Sequence, residues 1–205
     1  MFRKPFLIAA LLLTTMSLAQ QHSAHRNTQP SKSNAVAPIP SDRAADSYAI
    51  YSLLTPGAPD DKIAPSHIHQ WAVAGTTINI TDMNPAIPPD GQLKAPPDNP
   101  NAFNQALQNF EARRYERYRL EAGSFHPSHA FSLLDQQQVN DLRRTSSGST
   151  GIAFFSAVYF NSNQTAALVY VNDWCANLCS SGQWVYMEKH GGQWVRRSGI
   201  ISGGA

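Results

Sequence analysis

IAFFSAVYF (152–160), TAALVYVNDW (165–174), QWVYMEK (183–189) and QWVRRSGI (193–200) follow one another as four runs rich in β-branched and aromatic residues. Runs of this kind, bounded by turn residues, read as strands. The links between them are short, so neighbouring strands are expected to pair antiparallel. His190-Gly191-Gly192 marks a hairpin. With all three residues in the loop, Lys189 pairs with Gln193 and Met187 faces Val195. A two-residue loop would set Met187 opposite Arg196. Matching apolar with apolar favours the three-residue loop.

Upstream, helices and loops alternate. Ser41 reads as an N-cap with Asp42 in the first turn. Ala45, Tyr48, Tyr51 and Leu54 recur at helical spacing, which predicts a helix over 42–54 ended by Thr55-Pro56-Gly57. QWAVAGTTINIT (70–81) reads as a strand or hairpin. Residues 83–100 hold Pro85, Pro88, Pro89, Pro96, Pro97 and Pro100 and read as a long surface excursion. Asn99 and Pro100 open a helix over 100–113, with Phe103, Ala106, Leu107 and Phe110 on one face. In 115–125 the alternation of Tyr118, Leu120 and Ala122 suggests a strand, and continuation of the helix is the other reading. Asp135 and Gln138 form a capping box that opens a short helix over 136–143. SSGSTG (146–151) is a turn. The sum is an α+β domain, an antiparallel sheet of about four to six strands with helices packed on one face. Cystatin-like and NTF2-like architectures satisfy that description, and such folds host both enzymes and binders.

The N-terminus predicts export. Arg3 and Lys4 precede an unbroken apolar run from Phe6 to Leu13, and Ser17-Leu18-Ala19 is a small-x-small cleavage site. Thr14, Thr15 and Ser17 end the apolar stretch well short of the ~20 residues a spanning helix needs. The expected organisation is a signal peptide at 1–19, a disordered tether at 20–40 poor in large apolar side chains, and one domain over 41–205. The whole chain has 16 Lys+Arg against 14 Asp+Glu. Cleavage removes Arg3 and Lys4 and no acid, so the mature chain carries no net charge. That argues against nucleic acid as a partner, since counterion release needs a basic surface. The expected location is periplasmic or extracellular.

Catalytic signals are sparse. His67-Ile68-His69 and His126-Pro127-Ser128-His129 are two histidine pairs, and H-x-H on a strand sets two imidazoles on one face as zinc and copper sites require. Pro65 and Pro127 place both pairs in or near loops, and no stringent metal signature accompanies them. Surface or hydrogen-bonded histidines are therefore the expectation, with no metal and no cofactor. There is no G-x-S-x-G elbow and no S-x-x-K. Arg113, Arg114, Arg117 and Arg119 are interleaved with Glu111, Glu116 and Glu121, which reads as a solvated face. Trp174, Trp184 and Trp194 are expected in the core, or lining a groove. Cys175 and Cys179 are the two cysteines of an exported chain, so a disulfide between them is expected. Their spacing differs from the C-x-x-C of thiol redox proteins.

The C-terminal half resembles a group of uncharacterised exported bacterial proteins. The resemblance rests on Phe160-Asn161, Ala167-Leu168-Val169-Tyr170-Val171, Cys175 and Cys179, and Glu188-Lys189 followed by Gly192-Gln193-Trp194. Ala176 and Ser180 stand where the group usually has glycine. The group brings no activity with it. The sequence reading is thus an exported, non-catalytic binding or accessory envelope protein. Its alternative is a small hydrolase or metal-dependent enzyme using His67/His69 and His126/His129.

Overall fold

A computed structural model describes residues 36–57, 68, 70–145, 149–175 and 180–197. The helices are α1 (Ser41–Leu54), α2 (Pro89–Gln92), α3 (Pro100–Arg113) and α4 (Gln136–Thr145). The strands are β1 (Gln70–Ala74), β2 (Ser132–Leu134), β3 (Thr150–Phe155), β4 (Tyr159–Phe160), β5 (Ala166–Trp174), β6 (Ser180–His190) and β7 (Gln193–Arg196). They form one sheet in the order β2-β1-β3-β5-β6-β7, with β4 paired to β5. The class is α+β, as the sequence predicts.

From β3 to β7 every pairing is antiparallel. The other side of the sheet differs from the wholly antiparallel expectation, because β1 pairs parallel with both β2 and β3. Helices also cover both faces rather than one. Alternation along paired strands puts Phe155 and Val171 on one face, and Trp184 and Tyr186 on the other. Tyr51 of α1 stacks on Phe155 at 4.9 Å. Phe103 and Phe110 of α3 meet Tyr186 and Trp184 edge-on at 5.4 and 5.1 Å. The cause lies in β5, whose residues Ala166–Val171 are all buried. A strand apolar on both sides needs cover on both sides. Val139 of α4 packs over Ala74, Ile152 and Trp174 in a second, smaller cluster.

The hairpin register departs from expectation as well. His190 pairs with Gln193, Lys189 with Trp194 and Met187 with Arg196, so the loop is Gly191-Gly192 alone. Both glycines have positive φ, 58° and 86°, the left-handed pair a tight two-residue turn requires. Turn chemistry outweighs cross-strand matching because Met187 is buried by the core while Arg196, at the sheet edge, reaches Gln183.

The strand over 152–160 breaks after Phe155, and Ser156 explains the break. Its N–H donates to the Tyr170 carbonyl, and its hydroxyl accepts from the Tyr170 N–H. Tyr51, fully buried in α1, donates its hydroxyl to the Ser156 carbonyl at 2.8 Å. The predicted capping box is present, with Gln138 N–H on Asp135 Oδ1 and Asp135 N–H on Gln138 Oε1. Residues 115–121 are neither helix nor strand; Arg119 makes isolated bridges to Pro38 and Thr76. Residues 83–100 are pinned to the sheet, because Trp184 donates its indole N–H to the Ile87 carbonyl and its backbone N–H to Gln92. Residues 1–19, expected to be a signal peptide, and 20–35 of the expected tether lie outside the described residues. At 36–40 the chain already packs, with Ile39 in the core and the Ala37 carbonyl bonded to the Arg119 N–H.

A Cβ on Gly151 would stand 2.6 Å from the Trp71 ring. Gly151→Ala should therefore cost about 1–3 kcal/mol by overpacking, read as a shift of the urea midpoint at unchanged slope. Tyr51 and Tyr159 are both buried, and burial raises both hydroxyl pKa values above the ordinary 10.0. A raised value gives stability that is complete below pH ~10 and is lost as pH climbs from there. Only Tyr51 has a hydrogen-bond partner, since the Tyr159 hydroxyl has none. Tyr51→Phe should cost ~0.5–1.5 kcal/mol at pH 7, and Tyr159→Phe should be neutral or stabilising. Both should flatten the alkaline decline, measured by denaturation between pH 7 and 11.

Candidate functional site

A cleft of about 1040 Å³ lies over the outward side of α1. Its floor includes Ala45, Ala49 and Leu53, four residues apart and therefore on one stripe of the helix. Leu53 is 58% exposed, a large apolar side chain open to whatever enters. Pro38 and Ile39 border the cleft, as do Glu121, Gly123 and Ser124, the β6–β7 turn, and a loop carrying His126, Ser128 and His129.

Most polar groups of the rim already serve the fold. Asp46 Oδ1 accepts from the Trp194 indole N–H at 2.8 Å and pairs with Lys189 Nζ at 2.7 Å. Lys189 also lies over the Trp194 ring, 5.0 Å from its centroid. Together they fasten the β6–β7 hairpin to α1. The Tyr48 hydroxyl accepts from the Glu121 N–H, and burial raises its pKa above the ordinary value. Ser52 Oγ donates to the Tyr48 carbonyl and accepts from the His126 N–H, so the histidine loop hangs from α1.

His129 is the most constrained of the histidines. Its Nε2 lies 2.7 Å from the Pro56 carbonyl, and a carbonyl only accepts, so Nε2 carries the proton. In the neutral ring Nδ1 is then the acceptor, and Ser128 Oγ lies 3.5 Å from it. His126 is exposed. His67 and His69 lie outside the described residues. Among the described residues no group of three or more His, Cys, Asp or Glu side chains could hold a metal ion.

The three tryptophans do not share a groove. Trp184 is in the core beneath α3, and Trp174 is under α4 with the Arg143 guanidinium 5.7 Å from its ring centroid. Trp194 is buried too, yet borders the cleft. Cys175 is buried with Ile68 and Trp71 in a small cluster, and Cys179 lies outside the described residues. Three arginines of the patch are ion-paired: Arg113 with Glu116 and Arg114 with Glu111 inside it, and Arg117 with Asp82 beyond it. Burial opposes the Glu116 charge, but its bonds from Arg113 and Tyr118 outweigh that and lower its pKa. The histidines are visible in the sequence by residue type. The cleft is not, because exposed alanines on a helix carry no chemical signal.

No family model, curated protein or solved structure matches the chain. No helix among the described residues is long and apolar enough to cross a membrane.

Asp46→Ala would leave the Trp194 indole N–H and Lys189 without their shared acceptor. The expected cost is ~1–3 kcal/mol, measured by urea unfolding. Asp46→Asn keeps the oxygen and should recover part of that.

Proposed function

We propose that the protein is an exported, non-catalytic binding domain that holds a small amphipathic ligand in the cleft over α1. The observation that carries this reading is the commitment of the rim. Asp46, Tyr48, Ser52 and His129 are each held in bonds that fix neighbouring elements. A rim spent on rigidity presents a preformed surface, which lowers the ordering cost of binding. The floor offers apolar contact at Ala45, Ala49 and Leu53, and Glu121, Ser124 and Ser128 add polar edges. The volume lies just above the ~300–1,000 Å³ usual for small-molecule sites. Export is supported by the leader and by the resemblance of the C-terminal half to exported bacterial proteins. A Cys175–Cys179 bond belongs to the same reading, supported by the oxidising compartment that export implies.

The second reading is a hydrolase. Ser128, His129 and the Pro56 carbonyl are in the order nucleophile, base and orienter, although the Ser128–His129 approach is long at 3.5 Å.

One experiment separates the two. Protein recovered from the envelope or culture fraction should have the mass of residues 20–205. Under native mass spectrometry it should carry an adduct that Ala49→Trp removes without changing the melt. A mass that retains residues 1–19 would refute export, and an adduct unaffected by Ala49→Trp would refute the cleft as its site. Hydrolysis of p-nitrophenyl acetate that falls at least roughly a hundredfold in Ser128→Ala, the lower end of what one catalytic group contributes, would favour the hydrolase.

A further inference from the structure

A second groove, of about 460 Å³, runs between α3, the β4–β5 turn and the first turn of α1. Its lining is rich in side-chain amides: Gln105, Gln108 and Asn109 from α3, Asn161 and Gln164 from the turn. We infer that this groove is a binding site for a neutral saccharide, separate from the cleft over α1.

Three of these amides are each held by one half. Gln105 Oε1 accepts from the N–H and hydroxyl of Ser162 at 3.3 and 2.8 Å. A backbone N–H can only donate, so the oxygen of this amide is used and its NH2 remains to donate outward. Asn109 Oδ1 accepts from an Arg113 N–H, which can only donate, and so its NH2 also remains. Gln164 is oriented the opposite way. Its NH2 donates to the Asp42 carbonyl at 3.2 Å, leaving Oε1 as an acceptor. Three amides from two elements are thus each fixed by one half and present the other, two as donors and one as acceptor. Neighbouring sugar hydroxyls both donate and accept, and they match such a set.

The turn that carries Gln164 is itself braced. Asn161 Oδ1 accepts from the N–H groups of Thr165 and Ala166, and Asn161 Nδ2 donates to Thr165 Oγ1. Gln164 sits at φ 52°, in the left-handed region that disfavours side chains. That turn aims its amide at Asp42 and the groove.

Charge favours a neutral ligand. The two guanidiniums of the groove are already matched, Arg43 with Asp42 at 3.3 Å and Arg113 with Glu116 at 2.7 Å. A phosphate or carboxylate would have to compete with those partners. Binding through neutral hydrogen bonds keeps them intact.

The test is an amide-detected NMR titration of the mature protein with maltotriose, cellotriose and triacetylchitotriose, alongside acetyl-Gly-Ser-Gly-amide and inorganic phosphate. At least one trisaccharide should give saturable shifts at the side-chain amides of Gln105, Asn109 and Gln164. Gln164→Gly relaxes the backbone while removing the acceptor, so the fold should persist. Affinity should fall roughly three- to tenfold, the scale of one neutral hydrogen bond. The inference is overturned if no trisaccharide produces saturable shifts or if the shifts fall on Ala45, Ala49 and Leu53 instead. It is also overturned if only the peptide or phosphate moves these amides, or if Gln164→Gly binds as well as the parent.

Discussion

The bond from the Tyr51 hydroxyl to the Ser156 carbonyl sets the relation between α1 and the sheet. Ser156 lies where β3 gives way to β4, and its remaining polar groups are bound to the Tyr170 backbone and the Ala157 carbonyl. A helix residue, a strand break and the central strand β5 therefore meet at one fully buried point. In a low-dielectric interior an unpaired carbonyl would be costly, so the three elements are held in mutual position. The cleft over α1 inherits its geometry from this junction, because its floor is the opposite side of the same helix.

The fold was legible where local chemistry decides structure. Asp135 and Gln138 announced α4, Asn99 and Pro100 announced α3, and the β-rich runs after residue 150 announced the meander. Asn99 shows the limit of such reading, since its side chain makes no capping bond and instead reaches Glu188. The hairpin register departs from the apolar match for a physical reason. Two consecutive glycines able to adopt positive φ constrain the turn more strongly than an apolar pair across a sheet edge. The parallel pairings of β1 were not legible, because their partners lie far along the chain and no local signal names them. Nor was β2, whose three residues Ser132–Leu134 are too short to show a period.

The candidate sites were less legible than the fold. His126 and His129 could be picked by residue type, but only the Pro56 carbonyl shows which nitrogen holds the proton. The amide groove draws Gln105 and Asn109 from one turn of α3 and Gln164 from a distant hairpin. No spacing in the sequence connects them. Glutamines and asparagines on a helix read as ordinary surface until the turn across from them shows which half of each amide is engaged.

The mixed sheet also has a kinetic side. Strands β5, β6 and β7 can zip together through short links, with little loop entropy to overcome. β1 stands opposite β3, yet Ala72 pairs with Ile152 across about two fifths of the chain. Pairings of such long range raise contact order and slow the search for the native topology. By contact order alone the meander is favoured to form first, with β1 and β2 as later additions. An unpaired β3 edge is a template for a strand from a second molecule, and β1 closes it.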